Sequence, residues 1–202
     1  MCMELTPWEQ SVQFHGHTCP GLAIGFRAAQ LALRELFKED IPLEKRWTQV
    51  DSSYCACGID AVQILTGCST GKGNLVVKDW GKEVYTFGIS GKPEALRIVI
   101  KKEAWPPDKF WETRKKVMSG EAGEEERENF LQMREKATKA ALELSEEDFC
   151  TYSWIKKEFP AKKYEFKLVD CPSCGEPVQE NRLQEWEGKN VCGSCLENMQ
   201  VE

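Results

Sequence analysis

Apolar residues recur at helical spacing in the stretch that follows Pro20. Leu22, Phe26, Ala29, Leu33 and Leu36 are four and three residues apart, which puts them on one face of a helix. Pro20 suits the first helical position, so Cys19 falls at or beside the N-cap. Asp40-Ile41-Pro42 stops the helix, because the residue before a proline is pushed out of the helical region. RWTQVDSS is short and β-prone and reads as a strand. CGIDAVQILTG follows with Ile59, Val62 and Leu65 on one side, a short helix ending at Gly67. Three β-rich runs come next: NLVVKDW, KEVYTFGIS and ALRIVIK. Gly81-Lys82 between the first two predicts a hairpin there.

WPPDKFWETRKKVMSG and EERENFLQMREKATKAALELS read as helices, and the second keeps Phe130, Met133, Ala137, Ala141 and Leu144 in helical step. The acidic EAGEEERE between them reads as a solvated turn and helix start. FCTYSWIKKEFPAKKYEFKLVD is a connector with β character. Near Lys167 the apolar-rich segments give way to closely spaced cysteines, which divides the chain into residues 1–166 and 167–202.

Composition narrows the class. The chain has 202 residues, 41% of them apolar, with seven Trp, enough for one medium domain with a real core and a small one beside it. A net charge of −6 argues against a nucleic-acid partner, since phosphate binding wants a basic face. The N-terminus lacks a basic segment followed by an apolar run, and no apolar run approaches the roughly 18 residues that cross a bilayer. A soluble, cytoplasmic protein with no membrane partner is therefore expected. In a reducing compartment, ten cysteines spaced in pairs point to metal or thiol chemistry rather than a disulfide scaffold.

The C-terminal pairs are the sharpest motif. CPSCG and CGSC are two CxxC knuckles separated by 17 residues, spacing that reads as a four-cysteine zinc site on Cys171, Cys174, Cys192 and Cys195. Gly175 and Gly193 stand where a knuckle needs permissive backbone angles, and a hairpin turning at Gly188-Lys189-Asn190 fits between. Four cysteine ligands close the coordination sphere, so this zinc is structural, and metal binding stabilises a module too small to fold on its core alone. Glu176, Glu180, Glu185 and Glu187 around it favour a protein partner, or a plain structural role, over nucleic acid.

A second cluster opens the chain. His15, His17 and Cys19 stand two apart in HGHTC, and in extended backbone their side chains point the same way. Neutral imidazole and thiolate suit a second transition metal such as zinc, nickel, iron or copper. A helix start beside Cys19 stabilises its thiolate. In YCACGIDAVQ, Cys57 belongs to the first turn of a helix, and Asp60 and Gln63 share a face from which they can bind a ligand or orient a histidine. Cys57 ranks first among the remaining thiols as ligand or catalyst, Cys19 and Cys68 next, and Cys55 last. GCSTGKGN fails the P-loop pattern, because its first glycine is one residue too close and Lys72 is followed by Gly73. It leaves a glycine turn able to offer amides and Lys72 to an anion.

FHGHTCPGLAIGFRAA, CGIDAVQILTGCSTGKGNL and KDWGKEVYTF together resemble the FmdE-like family of formylmethanofuran dehydrogenase subunits, over roughly residues 10–150. The resemblance implies an α+β core domain, a homodimer, and a site lined by the His/Cys motif and the Cys-x-x-Asp helix. By motif position it carries over His15, His17, Cys19, Cys57, Asp60 and Gln63. Family members often carry a C-terminal zinc ribbon. The expected fold is α+β: helices packed on a small, mainly antiparallel sheet, plus a small zinc-ribbon or treble-clef-like domain. Metal ligands are expected at His15, His17 and Cys57, and catalytic groups at Cys57, Asp60 and Cys19, acting on an unknown small-molecule substrate. The alternative is a non-enzymatic accessory subunit, metal carrier or sensor that docks a partner through the ribbon.

Overall fold

Two helices precede the first strand, each defined by its own capping residues. The computed structural model describes residues 4–38, 40–52, 56–161 and 167–199. Helix α1 (Pro7–His15) starts at Thr6, whose hydroxyl accepts from the Glu9 N–H while the Glu9 carboxylate accepts from the Thr6 N–H. It ends at Gly16, where φ of 87° turns the chain into a left-handed conformation that glycine adopts without strain. HGHTC is therefore not extended as the spacing suggested: His15 ends a helix, and the motif bends around Gly16. Helix α2 (Pro20–Glu35) begins as expected, with Pro20 at the first position and Cys19 as N-cap.

Strand β1 (Arg46–Val50) leads to helix α3 (Cys57–Thr66), which Gly67 terminates in the left-handed region. β2 (Leu75–Val77), β3 (Val84–Ile89) and β4 (Glu94–Ile100) follow, then α4 (Asp108–Met118), α5 (Glu124–Glu143), the short α6 (Glu146–Phe149) and β5 (Cys150–Lys156). The sheet order is β2-β1-β3-β4-β5, antiparallel except for the parallel pair β1–β2. The hairpin expected at Gly81-Lys82 does not form, because β1 lies between β2 and β3. The link 78–83 passes over the end of β1: the Lys78 N–H donates to Val50 O at 2.8 Å and the Lys82 N–H to Asp51 O at 2.9 Å. The tight hairpin is β3–β4, turning at Gly91 with φ of 76°.

Helices and sheet share one core. Val50, Tyr85, Phe87, Leu96 and Ile98 from the sheet meet Ile24, Ala28, Val62 and Ala141 from the helices. Helices α2 and α3 cross without side chains between them. A Cβ on Gly25 would stand 2.1 Å from the Gly58 carbonyl oxygen, and one on Gly58 would stand 2.4 Å from the Tyr85 hydroxyl.

The chain divides into two compact units, residues 1–161 and 162–202. In the second, β6 (Leu168–Asp170) pairs with β7 (Pro177–Gln179), and β8 (Gln184–Trp186) with β9 (Lys189–Val191), before helix α7 (Gly193–Met199). The β8–β9 hairpin turns on Glu187 and Gly188, with φ of 48° and 77°, one step before the expected Gly-Lys-Asn turn.

Candidate metal centre

Three local devices gather the His/Cys motif. The Gly16 turn folds His17 back on His15, so that their ring centroids lie 4.4 Å apart. The Cys19 N-cap fixes its sulfur, which accepts from the Leu22 N–H at 3.4 Å. The glycine contact between α2 and α3 brings the helix starts at Cys19 and Cys57 together. His15 Nε2 then lies 3.7 Å from Cys19 Sγ, and His15 Nδ1 lies 2.7 Å from Asp60 Oδ2 on α3. His15, His17 and Cys19 each offer a ligand atom within 4.8 Å of the others.

This trio fits a metal. Zinc–sulfur and zinc–nitrogen bonds of about 2.3 and 2.0–2.1 Å at a tetrahedral angle hold the two donor atoms about 3.6 Å apart, close to the observed 3.7 Å. The Asp60 carboxylate accepts from Nδ1–H of His15, a tautomer assigned from that partner, which leaves the Nε2 lone pair facing Cys19. Partial burial, then the neighbouring His15 and Arg134, hold His17 below the ordinary imidazole value, in the direction of the neutral form that ligates metals. A hydrogen bond with Cys57, then burial, push the Cys19 thiol well up in the absence of an ion.

Cys57, the first residue of α3, stands beside the trio rather than within it, half-buried at the cavity floor. Gln63 is not among the residues lining that cavity. Cys68 is fully buried in the core and packs as a small hydrophobe. Cys55 lies outside the described residues. The Lys72 ammonium donates to Gly67 O at 2.9 Å, closing the glycine turn on itself.

Above the trio opens a cavity of about 520 Å³. Its walls are Phe110, Trp111 and Arg114 from α4, and Phe130 and Arg134 from α5. Both helices are legible in the sequence, but these residues do not stand out there as lining, because aromatic and basic residues at helical steps usually mark an amphipathic surface. A half-buried carboxyl was missed as well. Glu83 Oε1 accepts from the Tyr85 hydroxyl at 2.5 Å and Oε2 from Ser52 Oγ at 3.1 Å, and burial raises its pKa above the ordinary carboxylate range.

The C-terminal cysteines converge as their spacing implied. Cys171 and Cys174 sit in the turn between β6 and β7, Cys192 follows β9, and Cys195 lies in the first turn of α7. This order of knuckle, hairpin and helix is a treble-clef arrangement, and the four thiols are spaced to hold one metal ion. Cys174 Sγ and Cys192 Sγ lie 3.8 Å apart, the separation of about 3.8 Å that tetrahedral zinc–thiolate geometry requires. Backbone amides at Cys174 and Cys192 draw the Cys171 thiol down to about 6, toward the thiolate a metal needs. Gly175 takes the expected left-handed turn, with φ of 75°, whereas Gly193 opens α7 without one.

Among the described residues, no helix is long and apolar enough to cross a membrane. Comparison with known proteins gives matches of three kinds. A solved structure of a tungsten formylmethanofuran dehydrogenase FmdE-like protein from Syntrophus aciditrophicus superposes with a TM-score of 0.60 at 26% identity, covering 95% of this chain and 92% of that one. A probable S-adenosyl-L-methionine-binding protein of Archaeoglobus fulgidus is 25% identical over 192 residues, 91% of this chain. The chain spans about half the length (50%) of that curated relative. The family model described as "FmdE, Molybdenum formylmethanofuran dehydrogenase operon" matches residues 14–151, from just before the histidine pair into β5. With most of its length matched by that model, the chain belongs to the FmdE family.

Proposed function

We propose that the FmdE domain holds a transition-metal ion on His15, His17 and Cys19, with Cys57 beside it, and acts there on a small molecule in the adjoining cavity. The C-terminal cysteines hold a structural zinc. The carrying observation is the Asp60–His15–Cys19 line, with Nδ1–Oδ2 at 2.7 Å and Nε2–Sγ at 3.7 Å. Carboxylate-oriented imidazoles are the usual outer support of metal ligands, and a buried loop histidine has no need of one.

An ion held by His15, His17 and Cys19 would supply Lewis-acid polarisation of a substrate oxygen. The chain's own residues do the rest. Asp60 is a positioning residue that keeps the proton on His15 Nδ1. Cys57 is the thiol that faces the cavity from a helix start, suited to donate a proton or attack as a nucleophile. Phe110, Trp111 and Phe130 give the cavity an apolar wall for the body of a substrate. The formyl chemistry in the name of the Syntrophus relative would present a carbonyl oxygen of the kind such an ion polarises. S-adenosylmethionine, named for the Archaeoglobus relative, fits less well: it is a net cation, and two arginines line this cavity.

Elemental analysis of the full chain tests the reading. Two metal equivalents are expected, His17→Ala losing one and Cys171→Ser the other. A reconstituted chain with one equivalent that His17→Ala retains removes the N-terminal centre. The exposed His17 favours a second reading as metal carrier or sensor, which rapid metal exchange without small-molecule binding would support.

A further inference from the structure

The cavity above the His/Cys trio is lined by two basic side chains of an acidic chain. The protein carries a net charge of −6, yet Arg114 on α4 and Arg134 on α5 both line this one cavity. Among the described residues neither guanidinium has a carboxylate or carbonyl partner. Among the described residues Arg97, Arg127 and Arg182 share that lack of a partner but do not line this cavity, whereas Arg34 pairs with Glu35 and Glu146, Arg27 donates to Ala141 O, and Arg46 donates to Ile41 O. Asp60, the acid on the cavity floor, is engaged by His15. Two guanidiniums without an ion-pair partner, lining one concavity, make a local field that draws anions.

The rest of the lining that α4 and α5 give this cavity is largely aromatic. Phe110 packs edge-on against Trp111 with centroids 5.1 Å apart, and tilted against Phe130 at 5.3 Å. These rings belong to the same two helices as the arginines, so guanidinium forks and π-faces are presented together. Arginine recognises a carboxylate in bidentate fashion, and the aromatic walls suit a flat body. A cavity of about 520 Å³ has room for both parts.

We propose that this cavity binds an organic carboxylate with a flat, apolar body, its carboxylate held by Arg114 and Arg134, its body against Trp111 and Phe110, and its far end directed at the His15–His17–Cys19 trio. The direction of that far end rests on the metal-site reading above. The carboxylate subsite stands on the arginines and aromatics themselves.

The test is calorimetric titration of the full chain with cinnamate, and with neutral, isosteric cinnamamide, alongside elemental analysis of every sample. Arg114→Gln and Arg134→Gln are each expected to keep the full metal content and the thermal midpoint while weakening cinnamate roughly tenfold or more, the cost of a lost charged hydrogen bond. Cinnamamide is expected to bind the unsubstituted chain at least tenfold more weakly than cinnamate and to be indifferent to either substitution. Equal affinity for cinnamate and cinnamamide would overturn the proposal. So would cinnamate binding that survives both arginine substitutions but disappears in His17→Ala, since the carboxylate would then sit on the metal. A chain that holds no N-terminal metal yet binds cinnamate through the arginines would refute the metal centre and leave the carboxylate subsite standing.

Discussion

A Cβ on Gly25 would lie 2.1 Å from the carbonyl oxygen of Gly58, so helices α2 and α3 touch backbone to backbone. The neighbouring atom is main chain and cannot swing aside. Gly25→Ala must therefore push the helices apart, at a cost of about 1–3 kcal/mol typical of overpacking. Because Cys19 caps α2 while Asp60, which supports His15, rides on α3, the same shift pulls the thiol ligand away from the support of its histidine partner. The expected result is a lower urea midpoint together with loss of one metal equivalent. A stable variant with unchanged metal content would mean that the crossing does not set the site.

The Asp60–His15 bond gives a finer prediction. Asp60→Asn keeps the shape of the side chain but removes the negative charge that holds the proton on Nδ1. Loss of such a supporting carboxylate typically weakens metal affinity by roughly 10–100-fold. Competition against a chromophoric chelator measures this directly. Unchanged affinity would separate Asp60 from the metal and leave it as a surface partner of His15.

How far the sequence could be read depends on which forces acted locally. Helix α2 was legible because Pro20 and the apolar steps from Leu22 to Leu36 act within a few turns. The C-terminal cysteines were legible because metal geometry restricts spacing directly. Helix α1 escaped notice although Thr6-x-x-Glu9 is a capping-box signature, because the histidines drew a strand-type reading of HGHTC. The β2–β3 hairpin failed because a glycine turn says nothing about a third strand, β1, competing for the same edge. Arg114 and Arg134 were out of reach for a similar reason: only the packing of α4 against α5, seen in the Phe110–Phe130 contact, turns two ordinary surface arginines into walls of one cavity.

Loss of a metal from the four cysteines should destabilise the C-terminal unit far more than residues 1–161. Its buried cluster consists of Cys171, Val191 and Cys192, backed by a few partly buried residues such as Val178, Trp186 and Leu196. That is too little apolar burial to fold so short a segment unaided. Cys171→Ser in the full chain is expected to make amides in 167–199 exchange rapidly with solvent, while those of β3 and β4 stay protected. Hydrogen exchange read by mass spectrometry resolves the two regions. Uniform protection in the variant would show that the unit holds without its metal.

Glu83 makes the stability of the N-terminal unit depend on pH with a definite sign. Burial raises its pKa in the folded protein, against the hydrogen bonds from Tyr85 and Ser52 that lower it. In the unfolded chain it titrates near the ordinary value of about 4.3. Between that value and the raised native one, the folded state keeps a proton that the unfolded state has released. Stability therefore falls as pH rises through this window and levels off above the native pKa. Glu83→Gln carries no titrating proton and loses this dependence, while its amide can still accept from the Tyr85 hydroxyl. Urea midpoints from about pH 4 to about pH 7.5 should accordingly diverge, the unsubstituted chain losing ground to Glu83→Gln as the pH rises. Parallel curves would mean that Glu83 ionises as freely in the fold as in water, and that the enclosure around it is looser than its contacts imply.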